Sequence, residues 1–125
     1  DITNHQQLIS TPLPKKWKVY KINGPLFFAA ADTVFGELAH LCKKQRGVVL
    51  YFDGVPILDS GGVAALYKYI DKCRNSQTTL FLADFQFQPL KTLAKAKFSP
   101  DGKHCIVFST LESALQEIPR DDNSS

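Results

Sequence analysis

Apolar residues along the chain are spaced as in strands that alternate with helices. Residues 48–52 (VVLYF) and 79–83 (TLFLA) are continuous apolar runs, typical of strands that are covered on both faces. Residues 17–23 alternate imperfectly between apolar and polar positions, which predicts a half-buried strand ended by a Gly-Pro pair. Residues 106–108 supply a last, short strand.

Helical spacing of apolar residues follows each of these strands. Residues 31–45 predict a helix with Gly47 as its stop signal. Residues 63–70 predict a second helix, for which Ser60 is the natural N-cap. Pro89 is expected as the first residue of a short third helix, because a proline there loses no helical hydrogen bond.

The final helix has a capping box as its start signal. The Ser109 hydroxyl can accept from the Glu112 amide while the Glu112 carboxylate reaches back, and Pro119 is expected to end this helix. Strands that alternate with helices of this length favour right-handed crossovers. The pattern therefore predicts an α/β fold with a mostly parallel sheet.

Length and composition fit one domain. A chain of 125 residues buries about two-thirds of its surface on folding, and 44% apolar with 22% charged residues is globular. Residues 1–16, with Pro12 and Pro14, are expected as an extended lead-in or edge strand. Residues 17–119 are expected as the domain and residues 120–125 as a disordered tail. The absence of Met favours a piece cut from a longer protein.

The charge pattern excludes some partners. A net charge of +3 with dispersed basic residues is too weak for nucleic-acid binding. No apolar stretch approaches the roughly 20 residues of a membrane span, so the chain as given is expected to be soluble. The lysines around the third helix are a solvated face or, alternatively, a surface for an acidic protein or anionic lipid headgroups. They are Lys91, Lys95, Lys97 and Lys103.

Metal and redox chemistry are not favoured. The cysteines are Cys42, Cys73 and Cys105, an odd number inside apolar patterns, which predicts reduced, small hydrophobic residues in a cytoplasmic protein. The histidines are His5, His40 and His104. His104 and Cys105 point to opposite faces of a strand, so they cannot chelate one metal ion. No metal or cofactor is expected.

The strongest chemical signal is the Asp59-Ser60-Gly61-Gly62 run before the second helix. Backbone amides and the positive end of the helix dipole point at whatever lies there. The plain interpretation is a well-capped helix start, and the alternative is an anion or a closely packed backbone. No Lys-Ser/Thr pair follows, as a phosphate-binding loop would require.

Three loops are expected to meet at the carboxyl ends of the strands, where ligands of parallel sheets bind. They span residues 24–28, 53–60 and 84–88. Ser60 has no histidine in a predicted loop at this edge, and no pattern in the sequence marks Asp53 and Asp59 as a catalytic pair of carboxylates. The sequence therefore predicts a protein that is not an enzyme.

These residues resemble the STAS domain, which is shared by the cytoplasmic tails of SulP anion transporters and by bacterial anti-sigma-factor antagonists. The resemblance covers residues 17–118 and is carried by residues 55–62 (VPILDSGG), by Asp84 after its strand and by the last capped helix. It implies a small, mostly parallel sheet of four to five strands with about four helices, mainly on one face.

Two branches of the family are distinguished by short motifs. The antagonist branch carries Asp-Ser-Ser/Thr-Gly and is phosphorylated on the third residue, which is Gly61 here. Residues 24–31 (GPLFFAAA) resemble the Gly-Pro-Leu-Phe-Phe-Ala stretch of bacterial SulP tails. The resemblance implies a regulatory domain of an anion transporter at the cytoplasmic face of the inner membrane. The alternative is a stand-alone antagonist, a phosphorylation-controlled interaction switch.

The resemblance also implies a site and partners. The site is the loop Asp59, Ser60, Gly61 and Gly62, with Gly24, Pro25, Asp53 and Asp84 in neighbouring loops. The expected partner is the transporter's own membrane domain, and the lysines around the third helix add an acidic cytosolic protein as a second. Weak nucleotide binding near this loop is a further implication, and nucleic acid is not expected.

Overall fold

A computed structural model of the protein describes residues 2–4 and 13–120. The strands are β1 (Ile2–Asn4), β2 (Trp17–Asn23), β3 (Gly47–Gly54), β4 (Thr79–Ala83) and β5 (Cys105–Phe108). The helices are α1 (Phe28–Leu41), α2 (Ser60–Asn75), α3 (Phe87–Lys95) and α4 (Leu111–Gln116). The predicted α/β class is confirmed.

The strands form one sheet in the order β1-β2-β3-β4-β5. Only β1 runs antiparallel to its neighbour, and the pairs from β2 to β5 are parallel. Crossovers of one hand that advance in one direction place their helices on one face of the sheet. Residues of α1, α2 and α3 accordingly share one core, and α4 packs on the opposite face. The expected arrangement, helices mainly on one face, is confirmed.

Each face of the sheet has its own core. Leu50 and Leu82 lie in the larger core, beneath the first three helices. Val49 lies in the smaller core with Trp17 and Phe81, whose ring centroids are 5.1 Å apart. Because neighbouring residues of β3 and β4 are buried on opposite faces, these strands need continuous apolar runs rather than alternation.

The prediction for the first helix was wrong at both ends. α1 spans Phe28–Leu41 instead of residues 31–45. Gly47 is the first residue of β3 instead of a stop signal. Lys44 turns the chain with a φ of 63°, which ends the helical path earlier. Gly47 is needed because the Trp17 ring occupies the space that a Cβ would take.

The predicted N-cap of the second helix was displaced by one residue. The Asp59 side chain caps α2 by accepting from the Gly62 amide at 2.7 Å, and Ser60 is the first helical residue. Both residue types are good N-caps. Asp59 takes the role because the close packing of Gly62 fixes where the helix begins.

The other helix starts were also displaced. α3 begins at Phe87, two residues before Pro89, whose missing amide still falls in the first turn. The Thr110 hydroxyl caps α4 by accepting from the Ser113 amide at 3.0 Å, so the capping box predicted at Ser109 does not form. α4 ends at Gln116, ahead of Pro119.

The terminal predictions lie partly outside the described residues. β1 pairs with β2 at the edge of the sheet, while residues 5–12 and 121–125 are not described. The bounds of the lead-in, the domain and the tail therefore stay predictions. None of the described helices is long and apolar enough to cross a membrane.

Candidate functional site

The turn after β2 and the loop after β3 lie side by side at the carboxyl edge of the sheet. The Gly24 amide donates to the Gly54 carbonyl, and the Leu26 amide donates to the Ile57 carbonyl, both at 2.8 Å. Leu26 also forms an isolated parallel bridge with Leu58. These backbone bonds bring together two of the three loops that were expected to meet.

The third loop is attached by two glutamine side chains. The Gln88 amide oxygen accepts from the Leu58 amide at 2.8 Å, and its nitrogen donates to the Leu58 carbonyl at 3.2 Å. The Gln86 side chain donates to the Asp53 carbonyl at 2.6 Å. Gln88 thus satisfies both backbone groups of one buried residue. Sequence analysis missed this role, for which the only signal was a polar side chain just before the predicted start of a short helix.

The start of α2 packs closely against the loop after β2 and the start of α1. A Cβ on Gly62 would overlap the Leu26 carbonyl and lie 2.6 Å from Leu58 Cδ1. A Cβ on Gly61 would lie 2.6 Å from Phe28 Cβ. The two glycines therefore permit a close approach of backbones, as one interpretation of the motif expected.

Phe28 covers the position of Gly61. Phe28 contacts Gly61 from the solvent side, and it remains 67% exposed. A hydroxyl-bearing side chain at Gly61 would require Phe28 to move. Ser60, beside it, is exposed.

Large apolar side chains surround this edge of the sheet. We call them the apolar rim: Phe27 (47% exposed), Phe28 (67%), Ile57 (39%), Phe87 (80%) and Leu90 (46%). They lie at the starts of α1 and α3 and in the loop before α2. Several large apolar side chains exposed at one edge are typical of interaction sites.

The remaining predicted site residues lie around the rim in different settings. Gly24 has a φ of 92°, which allows the sharp turn before exposed Pro25. Burial raises the pKa of Tyr51, and the nearby carboxylates of Asp53 and Asp84 raise it further. Asp53 and Asp84 therefore lie near Tyr51, whereas the loop at residues 59–62 contacts Phe28.

Among the described residues, no catalytic groups are assembled at this edge. No group of metal-ligating side chains is found among residues 2–4 and 13–120. The three free thiols are buried, and burial raises the pKa of Cys42 and Cys73 to about 11 and that of Cys105 to about 12. These cysteines are therefore protonated, weakly nucleophilic core residues.

Comparisons with known proteins identify the family. Residues 9–114 match the STAS domain model. Over 78 residues, 62% of this chain, the sequence is 30% identical to a Bacillus subtilis (strain 168) protein named as a sulfate transporter, YvdB. The chain spans 15% of the length of that relative.

Solved structures of two kinds share the fold. A sulfate transporter family protein from Wolinella succinogenes superposes with a TM-score of 0.72 at 23% identity, covering 91% of this chain and 93% of that one. A Thermotoga maritima protein named as an anti-sigma factor antagonist superposes with a TM-score of 0.71 at 16% identity, covering 93% and 98%. With the family model matching most of its length, this chain belongs to the STAS domain family.

Proposed function

We propose that this chain is the cytoplasmic regulatory and interaction domain of a SulP-type anion transporter. Its main partner is the membrane domain of the same transporter, at the cytoplasmic face of the inner membrane. The similarity to a relative named as a sulfate transporter supports this branch, as does the stretch at residues 24–31.

The contact between Phe28 and Gly61 carries the proposal. In the antagonist branch, the residue at this position bears the phosphorylated hydroxyl. Here it is a glycine, and Phe28 Cβ would lie 2.6 Å from any added Cβ. The usual phosphoswitch is therefore replaced by an aromatic contact that belongs to the exposed apolar rim.

The part of the apolar rim formed by Phe27, Phe28 and Ile57 is the surface proposed to meet the membrane domain. Covering these exposed apolar side chains with a partner removes them from water, which lowers the free energy of the complex. No catalytic step is proposed, because protonated thiols and a capping carboxylate supply no activated nucleophile.

Anion uptake by the full-length transporter tests the proposal. We expect Phe28→Ser with Ile57→Ser to change the uptake rate or its regulation at an unchanged amount of protein in the membrane. Leu41→Ser is the matched control, because Leu41 is 41% exposed at the opposite end of α1. The regulatory role is wrong if the Phe28→Ser, Ile57→Ser variant and deletion of the domain both leave transport, its regulation and the membrane level unchanged.

A second candidate function is the anti-sigma-factor antagonist. It is favoured by exposed Ser60, which adjoins the usual phosphorylation position, and by the shared fold with an antagonist. Incubation with a cognate kinase and mass spectrometry tests it. Phosphate on Ser60, lost in Ser60→Ala, would support this candidate, and an unmodified Ser60 would reject it.

A further inference from the structure

Helix α3 has a strip of apolar residues that is exposed to solvent. Phe87, Leu90 and Ala94 are spaced i, i+3 and i+7, so they lie on one face of the helix. Phe87 is 80% exposed and Leu90 46% exposed, while Leu93 and Pro89 are buried on the opposite face. A helix that needs one apolar face for the core carries a second one here.

Lysines flank this strip, and the nearest acidic residues along the chain, Asp84 and Asp101, lie outside the helix. Lys91 and Lys95 are exposed beside the strip, and Lys97 follows the helix. Residues 85–100 contain no Asp or Glu. Within the part of the chain that the structure describes, none of these three lysines forms an ion pair. Their charge is therefore free to act on a partner.

We propose that the outer face of α3 binds the anionic headgroup layer of a membrane. Phe87 and Leu90 would enter the boundary between headgroups and acyl chains, and the lysines would contact anionic headgroups. Apolar insertion and basic attraction are two signals that reinforce each other in surface binding. Anionic lipid fits better than an acidic protein, because Phe87 protrudes from the surface instead of lining a groove.

Contacts with the body of the domain set the orientation of α3. Gln88 connects the helix to the loop before α2 through both backbone groups of Leu58, and it also donates to Thr92 at 3.0 Å. Phe98, just after the helix, packs edge-on against Tyr67 of α2 with ring centroids 5.5 Å apart. A lipid-bound α3 would therefore set the orientation of the whole domain.

The consequence is a defined position for the apolar rim. Phe87 and Leu90 belong to both the rim and the strip, so contact with lipid would bring Phe28 and Ile57 close to the membrane surface. The inference depends on the proposed function only for the presence of a membrane. Its test needs the isolated chain and lipid alone, so either proposal can fail without the other.

Co-sedimentation of the 125-residue chain with vesicles tests the inference. Phosphatidylcholine vesicles are compared with vesicles that also contain phosphatidylglycerol, at low and physiological salt. The first variant is Phe87→Ser with Leu90→Ser. The second is Lys91→Gln with Lys95→Gln and Lys97→Gln. Its matched control removes the same charge elsewhere, through Lys43→Gln, Lys44→Gln and Lys72→Gln. Circular dichroism verifies that every variant folds.

We expect binding to the anionic vesicles only, weakened by salt. Each lysine near an anionic surface is worth roughly fivefold in partitioning, so the α3 triple variant should bind about 100-fold more weakly. The control triple should lose much less, and the Phe87/Leu90 variant should lose binding at physiological salt. The proposal is overturned by no binding, by equal binding to neutral vesicles, or by equal losses in both triples. Binding to an acidic protein without binding to lipid would also overturn it.

Discussion

Replacing Gly62 by alanine tests the packing at the start of α2. The added Cβ would overlap the backbone carbonyl of Leu26 and lie 2.6 Å from Leu58 Cδ1. The carbonyl cannot rotate away as a flexible side chain would, because Leu26 is fixed by backbone bonds to Ile57 and Asp59. The helix start and the neighbouring turn must therefore separate.

The size of the effect follows from two opposing contributions. Overpacking of a close contact costs about 1–3 kcal/mol. Alanine gains up to about 1 kcal/mol over glycine inside a helix, and less in the first turn. Gly62→Ala should therefore lower the free energy of unfolding by about 1–2 kcal/mol. Gly36→Ala is the matched control, because a Cβ on Gly36 in α1 meets nothing within 4 Å. It should raise the free energy of unfolding by about 0.5–1 kcal/mol.

Urea unfolding of the two variants measures the difference directly. We expect the free energies of unfolding of the two variants to differ by about 2 kcal/mol, while the slope of the free energy against urea concentration stays the same. If Gly62→Ala were as stable as Gly36→Ala, the close approach of α2 to the Leu26 turn would be refuted.

Three further predictions concern the cap, the thiols and the loop. Asp59→Ala should lower the free energy of unfolding by about 1 kcal/mol, and Ser60→Ala should change it by less than about 0.5 kcal/mol; the reverse order in urea unfolding would restore Ser60 as the cap. Because burial raises the pKa of Cys42 and Cys73 to about 11, the unfolded chain loses these protons first above pH 9. Stability should therefore fall from pH 9 to 11, and replacing both cysteines by alanine should reduce that loss in thermal melts without abolishing it, because burial also raises the pKa of Cys105. If nucleotide binds weakly, chemical-shift changes on adding it should centre on residues 59–63, and changes elsewhere or none at millimolar nucleotide would reject such binding.

The strands and the class of fold could be predicted because their signal is local. The apolar runs at residues 48–52 and 79–83 need both faces covered, and they predict β3 and β4 closely. The end of α1 could not be predicted, since the turn at Lys44 is set by the return of the chain into β3. Local apolar periodicity contains no information on where a helix must stop to enter a sheet.

The location of the candidate site could be predicted from the sequence, but most of its contacts could not. The convergence of the three loops follows from parallel strands, and the structure shows it. The choice of Asp59 over Ser60 as the cap was not accessible, because it depends on Gly62 packing against Leu26. The role of Gln88 depends on Leu58, 30 residues away in sequence, and no local pattern reports such a contact.

Phe28 illustrates how one side chain connects packing with function. The sequence placed Phe28 in the loop before the first helix, and the structure shows it at the start of α1, 67% exposed and in contact with Gly61. The sequence alone showed that a hydroxyl was absent at Gly61. The structure shows what occupies its place, and Gly61→Ser should therefore displace Phe28 before it could create a phosphorylation site.

The reading frame upstream of Asp1 in the source DNA tests the transporter proposal most directly. The measurement is to sequence that frame and to count apolar segments of about 20 residues, the length that spans a membrane. About ten or more such segments are expected if this chain is the regulatory domain of an anion transporter. A start codon within a few residues of Asp1 would contradict the proposal and would favour a free-standing switch protein.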